Sequence, residues 1–484
     1  MIAPTLEQAA MLIGGEWGEA AGGRRIDVEN PSRREVLANV PRGGAEDVDR
    51  AVGAAARAFP AWRSLPARDR GKLLVAIAED LAGIGEELAR IIAAETGNAI
   101  RTQARGEAAT AADVFHYFGG VAGEQKGEVL PMGDGMLSYS VREPLGVVAA
   151  IVPWNAPVLL ASLKVAMALC TGNTLVLKAA EDAPLGVLRM AEICAAHLPA
   201  GVLNVVTGYG EECGGALLNH PGIAKISFTG STEVGRIAMR AAAERILPVS
   251  LELGGKAPAI VYPDSCDEAT VAHVITAMRF ARQGQSCTAG SRLYVHRSVF
   301  DEFTAKLAER LEELVVGDAL DERSDIGSIV SSTQDGRVCG YVREALEQGA
   351  TALTGGLPDE GRPGYQMRPT VLAGVEQSWR VAREEVFGPV LVALPWDDED
   401  EVIAWANDTH YGLAAFIFTK DLPAALRAAH RIEAGWVQVN RSGGQLPGMS
   451  YGGKKLSGLG SEYSIEGALE GFTQRKGITI GIDG

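Results

Sequence analysis

Between Pro144 and Glu252 short apolar runs alternate with longer amphipathic stretches, and this alternation restricts the chain to few architectures. LGVVAAIVPWN, NTLVLKAA, GVLNVVTG and AKISFTG read as strands. PVLLASLKVAMALCTG, APLGVLRMAEICAAHL and STEVGRIAMRAAAE read as helices, with glycines at the joints. Strand followed by helix, repeated, predicts a doubly wound α/β fold: a parallel sheet with helices on both faces. Ligands of such sheets bind beyond the carboxyl ends of the strands. A second α/β pattern begins near Lys256 and runs through VFDEFTAKLAERLEELVVG, EEVFGPVLVALPW and FIFTKDLPAALRAAHRI. Upstream, LIGGEW reads as a hairpin. RDRGKLLVAIAEDLAGIGEELARIIAAETG reads as helix with Leu73, Ile77, Leu81 and Ile84 on one face. The tail GITIGI alternates like an edge strand.

With 484 residues the chain exceeds one ordinary core and predicts two or three domains. A net charge of −16 argues against nucleic acid or an anionic membrane as partner. No apolar run approaches the roughly 20 residues a membrane helix needs. MIAPTLEQAAMLIGGEW lacks a basic leader and does not resemble a secretion signal. The six cysteines form no Cys-x-x-Cys pair and the seven histidines no His-x-x-x-His motif, so no metal site is expected. A disulfide framework is not indicated either, and the expected setting is a reducing cytoplasm.

Five short segments carry the chemical signals. In QGQSCTAGS, Cys287 is flanked by Gly284, Ser286, Thr288, Ala289 and Gly290, so the backbone can bend sharply and another molecule can come close. A reactive thiol and a small buried residue fit this segment equally. In FTGSTEVG, Gly230 ends a strand and Ser231 can cap a helix whose free N–H groups suit a phosphate; an ordinary capped helix fits too. Lys178, at the end of NTLVLKAA, and Glu181 can hold a ribose, Glu181 repelling a 2′-phosphate, or can form a solvated ion pair. Asn155, after PW, is either an oxyanion donor or a turn residue. Glu252, in LELGGK, sits in an apolar strand, where a carboxylate has a raised pKa and can act as a base, or is held in a salt bridge. GYGEECGG lacks the third glycine of a dinucleotide fingerprint and is weak alone.

PWN, NTLVLKAAE, FTGSTEVG, LELGGK, QGQSCTAG, EEVFGPV and GGKKLSGLGSE stand in the order and spacing of the aldehyde dehydrogenase superfamily, which the chain resembles over nearly its whole length. The resemblance implies a Rossmann-type NAD-binding domain over residues 1–121 and 145–253 and a catalytic domain over 254–440. It implies oligomerisation segments at 122–144 and 471–484, a return segment at 441–470, and a homodimer or homotetramer. It also assigns roles. Cys287 corresponds to the nucleophile, Asn155 and the Cys287 N–H to oxyanion donors, Glu252 to the base that activates water, and Glu462 to a proton-relay carboxylate. Cofactor positions are Ile151, Pro153, Trp154, Lys178, Glu181, Gly230, Ser231, Gly254, Glu385 and Phe387. The aldehyde tunnel corresponds to Ala156, Leu160, Leu163, Ala281, Gln445 and Tyr451. Ser461, Gln474 and Tyr451 depart from the residues usual at their places, which are arginine, glutamate and phenylalanine.

Small Ala156 and Ala281, in a lining expected to be apolar with a few hydrogen-bonding groups, predict an uncharged, bulky or extended aldehyde, aromatic or long-chain or polyether. Trp154 and Tyr451 do not supply the ring cage that a trimethylammonium head prefers. Two other readings use the same thiol. A non-redox cysteine hydrolase leaves the phosphate-site features unused, and a CoA-acylating semialdehyde dehydrogenase generally lacks a base at the place of Glu252.

Overall fold

The computed structural model of the chain describes residues 9–482. The first eight residues, on which part of the leader reading rests, and the last two of the tail segment lie outside the described residues. The alternating region forms an eight-stranded sheet. Its order from one edge is Gly458–Leu459, Val249–Glu252, Lys225–Thr229, Val147–Ile151, Thr174–Lys178, Leu203–Val206, Met11–Ile13 and Glu16–Gly18. The five strands from Val249–Glu252 to Leu203–Val206 are parallel. LIGGEW is the antiparallel hairpin at the far edge.

Continuous apolar strands arise because both faces are covered. Along Val147–Ile151, Val148 and Ala150 pack into one core cluster while Val147 and Ala149 pack into another on the opposite face. Leu175 and Leu177 divide from Val176 in the same way. The helices Pro157–Cys170 and Leu185–His197 contribute to the first cluster, and Thr232–Ala243 to the second.

The second region builds a seven-stranded sheet: Thr351–Thr354, Thr370–Ala373, Val390–Trp396, Arg292–His296, Pro258–Val261, Ala414–Phe418 and Trp436–Val439. All but the first are parallel to their neighbours. A third, antiparallel sheet joins Val129–Pro131, Met136–Pro144 and the tail strand Thr473–Gly481, which stands at its edge.

One helix departs from the sequence expectation. The stretch after Arg68 is two helices, Ala67–Gly83 and Gly85–Thr96, separated at Ile84. Glycines on both sides of Ile84 weaken the helix there, and the shared face continues across the break. Among the described residues no helix is long and apolar enough to cross a membrane, and no group of three metal-ligating side chains occurs.

Candidate active site

The carboxyl ends of three neighbouring strands come level at Ile151, Lys178 and Phe228, with Thr229 beside Glu252 on the next strand. Beyond them opens a cavity of about 460 Å³ between the two sheets. Its wall includes Cys287, Glu252, Asn155 and Glu462. On the sheet side it includes Pro153, Trp154, Gly230, Ser231, Gly254, Glu385 and Phe387. Ala156, Leu160, Gln445 and Tyr451 line it as well. Four segments far apart in the sequence thus meet around one thiol.

The bend carrying Cys287 is tightly constrained. Arg279, Gln283 and Gly284 take left-handed conformations, and a Cβ at Gly284 would come within 2.0 Å of the Gly388 carbonyl oxygen. Only glycine fits there. The Asn155 side-chain amide donates to the Gln285 carbonyl at 2.9 Å, which fixes the amide against the bend. An amide has two N–H groups, so this bond leaves one for another acceptor. The thiol is recessed, and burial with the nearby Glu385 carboxyl pushes it up to about 11. Tyr451 opposes that rise through its hydroxyl, 3.9 Å from Sγ.

Glu252 ends its strand fully enclosed, with neither carboxyl oxygen hydrogen-bonded. Burial, reinforced by the Glu462 charge, holds its pKa well above the usual carboxylate range. Glu462 itself forms a buried ion pair with Lys164. A second buried lysine, Lys225, donates to Ser250 Oγ at 2.7 Å, and burial lowers its pKa to about 7. Glu385 accepts the Gly255 N–H at 2.9 Å, and burial raises it to about 7. A Cβ at Gly254 would meet that carboxyl at 2.4 Å, so the glycine is needed for the approach. Phe387, at φ 56°, meets Trp154 edge to face at 5.3 Å across the cavity.

The sheet end of the cavity carries a helix N-terminus. Ser231 caps Thr232–Ala243 by accepting the Val234 N–H, so the helix start opens on the cavity wall. Thr229 Oγ1 is buried beside it without a partner. Lys178 and Glu181, paired at 2.5 Å, lie outside the cavity, as does Ile151. Asp182 adds a second carboxyl there, raised to about 6 by burial and by Glu181.

Two tunnel residues fall elsewhere. Leu163 is fully buried in the core cluster, one turn deeper along its helix than Leu160. Ala281 lies in a short 3₁₀ turn, Phe280–Arg282, that presents Arg279 and Arg282 to the cavity instead. Beside the apolar residues, Arg279, Arg282, Glu107, Gln103 and Thr110 also contribute to the wall, a more charged set than the few hydrogen-bonding groups expected. The arginines adjoin the QGQSC segment in the sequence, and Glu107 is the buried acid of an alanine-rich helix, Arg105–Val121. Tyr463 also lines the cavity, edge to face with Tyr451 at 5.5 Å.

A small-flanked thiol and a buried carboxylate at one sheet end, with a helix N-terminus opposite, compose a site that suits covalent thiol chemistry beside a nucleotide. Comparison with known proteins defines the family. The aldehyde dehydrogenase family profile matches residues 17–478. Phenylacetaldehyde dehydrogenase of Pseudomonas fluorescens is 43% identical over 480 residues, 97% of this chain and 95% of the relative. Hydroxyisobutyraldehyde dehydrogenase of Mycolicibacterium austroafricanum is 41% identical, covering 98% and 94%. PnpE of Pseudomonas sp. WBC-3, solved also in complex with nicotinamide adenine dinucleotide, superposes with a TM-score of 0.96 at 38% identity, covering 99% of this chain and 98% of that one. The chain belongs to the aldehyde dehydrogenase family and has its fold. It is an oxidoreductase acting on aldehydes.

Proposed function

We propose that the chain oxidises an extended or bulky aldehyde to its acid with NAD, through a thiohemiacetal and then a thioester on Cys287. The observation that carries this reading is the convergence of Cys287, Asn155 and Glu252 on one cavity wall. Cys287 attacks the aldehyde carbon, and the free N–H of the Asn155 amide with the Cys287 N–H holds the oxyanion. Bound NAD would supply the hydride acceptor needed to oxidise this adduct to the thioester. Glu252 takes a proton from water as the water attacks the thioester, and the pair Glu462–Lys164 relays charge behind it. Glu385 and Phe387 hold the nicotinamide ribose and ring, Ser231 the pyrophosphate, Lys178 and Glu181 the adenine ribose, and Ile151, Pro153, Trp154, Gly230 and Gly254 complete the cofactor site. Residues 1–121 and 145–253 serve as the NAD-binding domain and 254–440 as the catalytic domain. The return segment 441–470 supplies Tyr451 and Glu462.

Small Ala156 on the cavity wall supports a larger aldehyde than acetaldehyde, as do the relatives named for phenylacetaldehyde and hydroxyisobutyraldehyde. Glu181, at the family's adenine-ribose position, supports NAD over NADP, because its carboxylate would repel a 2′-phosphate there. Aldehyde-dependent absorbance of reduced nicotinamide tests the activity. The expected kcat/KM is at least about tenfold higher with NAD than with NADP, for one extra carboxylate–phosphate repulsion. An equal or higher value with NADP would remove Glu181 from cofactor choice.

Assembly as a homodimer or homotetramer follows from the arm. Val129, Leu130 and Met132 are exposed on its hairpin, and the tail strand stands unpaired at the opposite edge of the same sheet. Light scattering at micromolar concentration is expected to give two or four chains, and a monomer would contradict the proposal. All six cysteines are free thiols, which suits the reducing cytoplasm.

A further inference from the structure

The two arginines on the cavity wall are held differently. Arg279 donates to the carbonyls of Ser442 at 3.0 Å and Gly443 at 2.9 Å, and its Nε leans on Thr288 Oγ1 at 3.4 Å. Its fork is engaged by the backbone. The Arg282 side chain is 15% exposed, yet its Nε is enclosed with no hydrogen-bond partner. The nearest carboxylate, Glu107, stands 3.7 Å from Nη2, beyond a good hydrogen bond. Glu107 Oε1 already accepts the Val158 N–H at 3.1 Å, where it caps the start of a helix. Arg282 is therefore oriented by a charge but keeps donors free toward the cavity.

A buried guanidinium with unused donors is unfavourable unless an acceptor completes it. The charge balance specifies the acceptor. Arg282 faces the carboxyl of Glu107, raised to about 7 by burial against the opposing pull of Arg282, while Arg279 lines the same wall without a carboxylate partner among the described residues. Of the other carboxyls on the wall, Glu462 is paired with Lys164, while Glu252 and Glu385 are held toward their neutral forms by burial. The wall near Leu160 and Thr110 thus carries two guanidiniums, Arg279 and Arg282, and one carboxyl, Glu107. Planar, two-oxygen acceptors match a guanidinium fork best.

Resting on the oxidation reading above, we propose that Arg282 receives a carboxylate at the far end of the substrate. The preferred substrates are then semialdehydes, extended aldehydes that carry an acid group several bonds from the reacting carbon, and the product is a dicarboxylate. This keeps the extended shape the cavity supports and replaces the uncharged end with an anionic one.

The test compares succinic semialdehyde with isocaproaldehyde, in which an isopropyl group replaces the carboxylate. The natural chain is expected to favour the semialdehyde by about tenfold or more in kcat/KM, carried by KM, the range of a charge-assisted hydrogen bond. Arg282→Gln lowers the ratio of the two kcat/KM values toward one, and Arg282→Lys retains part of it. A natural chain that favours isocaproaldehyde overturns the proposal, as does an Arg282→Gln variant that leaves the ratio unchanged. If no aldehyde reduces the cofactor, the oxidation reading fails, and a binding measurement decides the carboxylate site separately. Succinate should then slow alkylation of Cys287 by iodoacetamide in the natural chain and not in Arg282→Gln. Equal protection in both, or in neither, overturns the site.

Discussion

Cys287→Ala is expected to abolish aldehyde-dependent reduction of NAD, a loss of about 10⁴-fold or more, while leaving NAD binding intact. The size follows from the route. Without a nucleophile neither the thiohemiacetal nor the thioester forms, and no other thiol lines the cavity to substitute. Cys170, Cys194 and Cys213 are buried in the cores, where burial pushes all three thiols up, Cys170 and Cys213 to about 12. Binding should survive because the bend is held by the backbone rather than by Sγ. The Gly284 approach and the Asn155 bond to the Gln285 carbonyl are untouched by the substitution. Titration of intrinsic fluorescence with NAD, with Trp154 and Phe387 at the nicotinamide end, reads the second half of the prediction. Residual turnover within tenfold of the natural chain would remove Cys287 from the mechanism.

The surroundings of this thiol divide into features legible in the amino-acid sequence and features that only folding brings together. Strand positions are legible because runs such as VVAAI and TLVLK are apolar on both faces, and only a doubly covered parallel sheet buries both. The ends of those strands are legible through glycines and capping residues, and so are Gly230, Ser231 and Glu252. Which side chains share a wall is not. Leu163 follows Leu160 by three residues, and periodicity alone places them on one face, yet the cavity ends before the second turn. Arg282 reaches the cavity because Arg279 and Gln283 take left-handed backbone angles on either side of a 3₁₀ turn. Helical periodicity carries no signal for such a reversal. Glu107 belongs to no motif at all; its place follows from the packing of Arg105–Val121 against Pro157–Cys170.

Glu252→Gln is expected to give one stoichiometric burst of reduced cofactor and then a steady state lowered by about 10²- to 10⁴-fold, the range of a general-base contribution. The carboxyl is enclosed, has no hydrogen-bond partner, and is held well above its usual range by burial and by the Glu462 charge. It is therefore protonated at low pH and gains base strength only as pH rises through its raised pKa. The sign follows: steady-state turnover of the natural chain should climb with pH across that window. In Glu252→Gln this rise is lost, because an amide has no proton to shed. The thioester made on Cys287 then persists. Mass spectrometry of the quenched variant should find the chain heavier by one acyl group, and the natural chain unmodified. The amide is nearly isosteric with the carboxyl, so the wall between Thr229 and Gly254 keeps its shape. Unchanged steady-state turnover would exclude Glu252 as the base, whereas a slow rate with no burst would place it in activation of the thiol. The second outcome would mean that the carboxylate takes the thiol proton itself, because the Glu252 charge as such helps to hold the Cys287 pKa up and its loss would ease ionisation of the thiol.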